Sequence, residues 1–177
     1  MDICTKIFLQ NEFKELKAAF KRGKNVQDLT NHLASQFLEA GVTDDVLPEM
    51  MSSDGVFRHH QELVDHKIAI DNNRMVAGLS PQLIARKLDV LLLWDCDPDV
   101  LIKHMNYSDI EECIIPLLDG GASSDKVIER LRDEGESAWI YRNRLLLEEY
   151  MGDGFMIDDA DVDAAFPDIR GAVAYCS

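Results

Sequence analysis

Apolar side chains near the start of the chain recur at helical spacing. They lie at positions i, i+4, i+7 and i+11 of one stripe: Leu9, Phe13, Leu16 and Phe20. The pattern predicts an amphipathic helix over 6–22, ended by Gly23, within an N-terminal segment 1–24. This segment is basic, because it holds six Lys or Arg against three Asp or Glu.

Two later stretches, 37–50 and 117–131, share one order of residue types. Each runs from an apolar pair through an acid and a glycine to hydroxyl residues, and then into a new apolar run. Gly41 and Gly121 suit the left-handed position that follows a helix. Hydroxyl side chains after each glycine can cap the next helix: Thr43 in the first stretch, and Ser123 or Ser124 in the second.

The two stretches are about 80 residues apart, close to three times 27, which suggests an internal repeat. Shifting the sequence against itself by one such interval places 81–84 on 108–111 and 97–101 on 124–128, so both helices of a hairpin coincide. Within 25–133 we therefore predict four αα-hairpin units of about 27 residues, over these ranges: 26–52, 53–79, 80–106 and 107–133. Chance is the competing explanation, since helical hairpins of similar length share caps and leucines.

Capping patterns predict where several helices begin. They are Ser80 before Pro81, Asp97 before Pro98, and Ser108 with Glu111 three residues later. Pro48 and Pro116 fall inside predicted helices and should kink or shorten them.

The last part of the chain changes character after one more helix. Within 134–151, a helix over 136–151 is predicted to cap the hairpins, and its apolar face consists of Trp139, Ile140, Leu146, Leu147 and Tyr150. The segment that follows, 152–177, is acidic.

Composition supports an all-α fold. Aromatic residues make up only 7% of the chain, and aliphatic residues dominate the apolar content, which favours helices packed on helices. The predicted architecture is stacked helical hairpins, forming either a short α-solenoid or an irregular helical bundle.

Four separated cysteines and the absence of a long apolar run point to a reduced, cytoplasmic protein outside the membrane. Cys4, Cys96, Cys113 and Cys176 form no CxxC pair, and no apolar run approaches 18 residues.

Three motifs could carry metal chemistry, and each has a plainer explanation. The D-x-D-x-D spacing at 95–99 begins like an EF-hand loop, but Val100 and Asn106 occupy the positions that need Gly and Glu. The same spacing recurs at 159–163 within the acidic segment. His59, Glu62 and His66 can share a helix face, although a role as ordinary exposed polar residues explains their presence better.

Since no catalytic motif occurs, we predict a protein that is not an enzyme and has neither metal nor cofactor.

The two glycine junctions resemble the turn of helix-turn-helix DNA-binding proteins. However, Phe37 and Leu117 stand where those proteins place a small residue, which should splay the helices. The second helix would also present acids to phosphate: Asp44, Asp45 and Glu49.

The net charge of −15 favours a basic partner and opposes direct nucleic-acid binding, because phosphates are repelled. Our leading hypothesis is a non-catalytic interaction module that docks on a basic protein surface. Its predicted electrostatic contacts are Glu148, Glu149, Asp153, Asp158, Asp159, Asp161 and Asp163. One concrete form is an inhibitor that mimics nucleic-acid charge. In size and charge the chain is similar to small acidic proteins of phages and mobile elements, such as anti-CRISPR and anti-restriction proteins.

Two alternatives remain open. The first is a nucleic-acid-binding regulator that uses the hairpins together with the basic N-terminal helix, through Lys14, Lys17, Lys21, Arg22 and Lys24. The second is a structural protein that self-associates through leucine-rich helix faces.

Overall fold

The computed structural model describes residues 1–133 and 137–151, and it divides the chain into two compact units, Met1–Leu79 and Ser80–Ser177. All regular structure in these described ranges is α-helical, which confirms the all-α prediction. No helix in the described ranges is both long and apolar enough to cross a bilayer.

The first unit contains five helices: α1 (Ile3–Lys21), α2 (Gln27–Glu39), α3 (Leu47–Met50), α4 (Ser53–Asp65) and α5 (Asn72–Ala77). The described part of the second unit contains seven: α6 (Pro81–Arg86), α7 (Leu88–Leu93), α8 (Pro98–His104), α9 (Tyr107–Asp119), α10 (Ser124–Asp133), α11 (Ser137–Arg142) and α12 (Arg144–Met151). In the first unit α2 packs against α1, α3 and α4. In the second, α9 packs against α6, α8 and α10.

Helix α1 begins earlier than the apolar stripe predicts. Asp2 caps it, since its Oδ1 accepts a hydrogen bond from the Thr5 backbone N–H at 3.0 Å. The core side of α1 buries Leu9, Phe13 and Leu16. The first two turns of α1 also expose large apolar side chains, namely Ile3, Ile7 and Phe8. Apolar character on α1 is therefore not confined to the side that faces the core.

Several turns that close helices share a left-handed backbone conformation. Gly41 (φ 81°) and Gly121 (φ 94°) adopt it as predicted, and so does Gly23 (φ 75°), which was predicted only to end the first helix. Lys67 (φ 60°) and Asp95 (φ 55°) take the same conformation without being glycine. The residue that follows each of Gly41, Lys67, Asp95 and Gly121 donates its backbone N–H to the carbonyl five residues earlier. These four hydrogen bonds run from Val42 to Phe37, from Ile68 to Leu63, from Cys96 to Leu91 and from Ala122 to Leu117.

These four turns recur at nearly constant intervals along the chain. All eight residues joined by these hydrogen bonds are buried, and an apolar contact commonly accompanies this type of helix end. Three of the turns follow helices of equal length, α2, α4 and α9, whereas Lys87 interrupts the corresponding stretch between α6 and α7. The predicted four-unit organisation itself stays a prediction.

Replacing Gly121 by Ala should destabilise the second unit by about 1 kcal/mol, because a Cβ is strained in the left-handed conformation. The effect is purely one of the backbone, since the added Cβ would meet no atom within 4 Å. Gly121→Asn is the matched control and should recover most of the loss, because Asn tolerates this conformation. Urea unfolding followed by tryptophan fluorescence measures the effect. Equal stability of the Ala and Asn variants would contradict the assignment.

Two of the three predicted helix starts are confirmed, and one is wrong. Ser80 and Asp97 cap α6 and α8, each followed by proline. Ser108 does not cap α9, because the helix begins at Tyr107 and Asn106 occupies the cap position. The Asn106 side chain instead donates to the Asp109 carboxylate at 3.1 Å.

The junction after Gly41 also differs from the prediction at Thr43. Helix α3 begins only at Leu47, and Asp44 rather than Thr43 accepts a backbone hydrogen bond, from Val46 at 3.0 Å. Pro48 lies in the first turn of this short helix. Pro116, in contrast, lies inside α9 without ending it.

The single helix predicted over 136–151 is two helices, α11 and α12, separated at Asn143. The Trp139 carbonyl accepts from the Asn143 side chain at 2.9 Å and also from the Asn143 backbone N–H at 3.0 Å. Ile140 and Leu147 are buried as predicted, and Trp139 is half-buried. The predicted burial of Leu146 and Tyr150 falls on side chains outside the described residues.

Candidate functional site

Charge is distributed unevenly between the two units. The first holds nine Lys or Arg against twelve Asp or Glu, for a net charge of −3. The second also holds nine bases, but it has twenty-one acids and a net charge of −12. The acidic character of the chain therefore belongs mainly to the second unit.

Part of this charge lies along two neighbouring turns of the second unit. We call Asp95, Asp97, Asp99 and Asp125 the acidic edge. Asp97 caps α8, where its Oδ1 accepts from the Asp99 backbone N–H at 2.9 Å. Asp99 connects the two turns, since its Oδ1 accepts from the Ser123 backbone N–H at 2.8 Å. The cap at Asp97 agrees with the sequence prediction.

One described base neutralises part of the acidic edge. The Lys126 Nζ donates to Asp99 Oδ2 at 2.6 Å. This hydrogen bond lowers the pKa of Asp99 and raises the pKa of Lys126, and the charge of Asp97 raises the latter further. Asp95, Asp97 and Asp125 are exposed and form no salt bridge with any base in the described ranges. Lys126 therefore pairs with only one of the four carboxylates, and the acidic edge with Lys126 included keeps a charge of −3.

The same type of contact occurs in the first unit. Asp45 Oδ1 accepts from the Ala69 backbone N–H at 3.4 Å, just as Asp99 accepts from Ser123. The acid and the donor are equally far apart in sequence in the two cases. An aspartate therefore links one turn to the next in each unit.

A groove of about 400 Å³ lies beside Asp45, entirely within the first unit. Met51, Val56 and Met75 are buried residues that line it. Carboxylates of Asp45, Glu49 and Asp71 also line it, together with one base, Arg74, and four other residues: Pro48, Ser53, Ala69 and Ile70. The groove therefore combines apolar side chains with a net charge of −2.

The basic residues of the N-terminal helix are mostly exposed. Lys14, Lys21, Arg22 and Lys24 reach solvent, whereas Lys17 is half-buried and forms a salt bridge with Asp44. The hydrogen bond that Lys17 donates to Asp44 is the largest cause of the lowered pKa of Asp44, and the charge of Lys21 also lowers it. Asp44 therefore offsets part of the positive charge that the nucleic-acid alternative would use.

The lowered pKa of Asp44 predicts a pH effect on the first unit. Because its folded pKa lies below its unfolded value, the stabilisation is fully present above about pH 4. It is lost as the pH falls through the folded pKa. Asp44→Asn should therefore make the decline in stability below pH 4 less steep than in Asp28→Asn, a variant with the same charge change at an exposed position of α2 that forms no salt bridge in the described ranges. Urea unfolding at a series of pH values measures both, and equal slopes in the two variants would contradict the assigned cause.

Only two of the predicted C-terminal contact residues fall within the described ranges. Glu148 and Glu149 are exposed on α12. The remaining contacts lie outside the described residues: Asp153, Asp158, Asp159, Asp161 and Asp163. The acidic edge and the groove were not identified as sites from the sequence.

The histidine motif forms an ordinary polar network. His59 Nδ1 lies 3.3 Å from Glu62 Oε2, which also accepts from the Ser35 hydroxyl at 2.7 Å. The His66 side chain instead contacts the Glu62 backbone carbonyl at 2.9 Å. No group of three potential ligands in the described ranges could hold a metal ion.

Three cysteines in the described ranges are free thiols. Cys4 is exposed, and Cys113 is half-buried. Burial raises the pKa of Cys96 to about 11, with a smaller contribution from Asp95. The raised pKa keeps Cys96 in its unreactive thiol form near neutral pH. Cys176 lies outside the described residues.

No protein-family model, curated protein or solved structure matches the chain.

Proposed function

We propose that this protein is a non-catalytic interaction module whose acidic surface docks on a basic protein. The observation that supports this most is the acidic edge, where three exposed carboxylates have no salt bridge to a base in the described ranges. The net charge of −12 on the second unit adds a longer-range field of the same sign. Such a field speeds association with a basic surface and favours a correct orientation.

The proposal includes a stack of four helical hairpins as the scaffold. Its support is the recurrence of the left-handed turns at nearly constant intervals, together with the contacts that Asp45 and Asp99 make with the following turn. Stacked hairpins would present acids from successive turns as a row, which suits an extended basic surface. In its most specific form, the protein is an inhibitor that occupies the nucleic-acid groove of its partner.

Titration with a fluorescently labelled ten-residue oligolysine peptide tests the electrostatic basis of this function. We expect binding at 50 mM NaCl and at least about a tenfold weaker affinity at 200 mM, because salt screens exposed charges. Absence of binding at 50 mM, or an affinity independent of salt, would reject the proposal. A neutral oligo-Gly-Ser peptide of equal length is the control and should not bind.

Self-association is a second candidate, favoured by the exposed apolar side chains at the start of α1. Ile3, Ile7 and Phe8 could pack against the same helix of another copy, with exposed Cys4 nearby in sequence. Light scattering at increasing concentration should then show a dimer that Phe8→Glu reduces to a monomer. A wild-type monomer at every concentration excludes this candidate.

The nucleic-acid alternative rests on the exposed bases in α1 and just after it. The salt bridge between Lys17 and Asp44 weakens this alternative, because a phosphate bound at Lys17 would lie near the Asp44 carboxylate. A gel-shift assay at low salt distinguishes this alternative from the leading proposal, which expects no retardation of duplex DNA.

A further inference from the structure

The geometry points to the groove of the first unit as a docking site for one long cationic side chain, lysine or arginine, on the basic partner. This inference rests on the proposed function, because it names the chemical group that the partner inserts. The groove has both components that such a side chain needs, an apolar surface for the stem and carboxylates for the charged head.

The apolar component lies deep in the unit. Met51, Val56 and Met75 are each at most 5% exposed, and together they line the groove. Half-buried Ile70 and Pro48 add further apolar lining. A methylene chain that enters the groove would lose water contact against these side chains, which is favourable for each CH₂ group.

The carboxylates keep acceptor atoms available for a ligand. Asp45 uses Oδ1 for the Ala69 N–H, and Asp71 uses Oδ1 for the Arg74 N–H at the start of α5. Their other oxygens accept no hydrogen bond from a described residue, and exposed Glu49 makes no contact of this kind in the described ranges. Glu49 is therefore the carboxylate best placed to pair with an incoming charge without a structural role of its own.

Charge and size select the occupant. Three carboxylates against the single base Arg74 disfavour an anion, and a wholly apolar ligand would desolvate these carboxylates without pairing them. The volume of about 400 Å³ is near the lower end of ligand sites, which span roughly 300–1,000 Å³. Such a space suits one extended side chain better than a helix, and lysine or arginine meets both requirements.

The test separates this groove from general attraction between charges. Two labelled peptides of alternating glycine and basic residues are compared at pH 6 and 50 mM NaCl. One carries lysine, and the other carries 2,4-diaminobutyric acid, which has the same charge on a stem shorter by two CH₂ groups. The acidic edge is neutralised by Asp95→Asn, Asp97→Asn and Asp125→Asn, so that it does not bind the peptides. On this background, the lysine peptide should bind about tenfold tighter, because its two extra CH₂ groups become buried.

A single carboxylate variant gives a second, independent measurement. Glu49→Gln should weaken binding of the lysine peptide about fivefold, whereas Glu39→Gln, an exposed acid on α2 outside the groove, should change it less than twofold. Amide NMR shifts at Ala69 and Ile70 should follow the same titration.

The outcomes separate failure of the groove from failure of the function. Equal affinity for the two peptides, or equal effects of the two glutamate variants, would overturn the groove as the docking site. If the unmodified protein binds neither peptide at 50 mM NaCl, the proposed function fails together with the groove.

Discussion

Replacement of Phe37 by Ala is expected to lower the free energy of unfolding of the first unit by about 3–5 kcal/mol. Phe37 is 0% exposed, and its ring meets the ring of Phe13 edge-on at a centroid distance of 5.5 Å. It lies in α2, which packs against α1, α3 and α4. Truncation would therefore leave a cavity at the place where the helices of this unit meet.

Leu29→Ala is the matched control for Phe37→Ala. Leu29 belongs to the same helix but is 43% exposed, so its truncation should cost less than about 1 kcal/mol. Urea unfolding followed by far-UV circular dichroism reports both units. Fluorescence reports only the second unit, because both tryptophans, Trp94 and Trp139, belong to it. A Phe37→Ala variant as stable as the control would show that α2 is not the centre of the first unit.

The second large effect concerns the acidic edge. Asp95→Asn, Asp97→Asn and Asp125→Asn together should weaken binding of the oligolysine peptide about tenfold or more at 50 mM NaCl, since three unscreened charges are removed. The change should leave the fold intact. Asn serves as well as Asp at the cap position of Asp97, and it tolerates the left-handed conformation of Asp95.

The sequence predicts those parts of the fold that are determined by neighbouring residues. Ser80 and Asp97 are followed by proline, and each pair defines a helix start through local chemistry alone. Gly41 and Gly121 likewise end their helices as predicted, because glycine adopts the left-handed conformation at no steric cost.

Two equivalent turns could not be found in this way, because Lys67 and Asp95 occupy the left-handed position. Their conformation depends on the buried residues that follow, Ile68 and Cys96, which pack into the core. Tertiary packing here outweighs the local preference of the residue. The feature that these two turns have in common with those at Gly41 and Gly121 is the buried apolar residue that follows the left-handed position.

The candidate sites were harder to predict, because they depend on residues that are distant in sequence. The groove brings Asp45 and Glu49 together with Asp71, and its apolar lining comes from α4 and α5 as well as from residues between the helices. The sequence alone indicates Asp45 and Glu49 only as acids that would repel phosphate. The contact between Asp99 and Ser123 likewise depends on how adjacent turns pack.

The most direct test of the central claim compares three proteins in one oligolysine titration at 50 mM NaCl. They are the wild type, the triple variant of the acidic edge, and a control with the same charge change, Glu15→Gln, Asp28→Asn and Glu39→Gln, at exposed positions of the first unit. We expect at least about a tenfold loss of affinity in the edge variant and less than twofold in the control. Equal losses in the two variants would show that net charge alone, and not the acidic edge, attracts the partner.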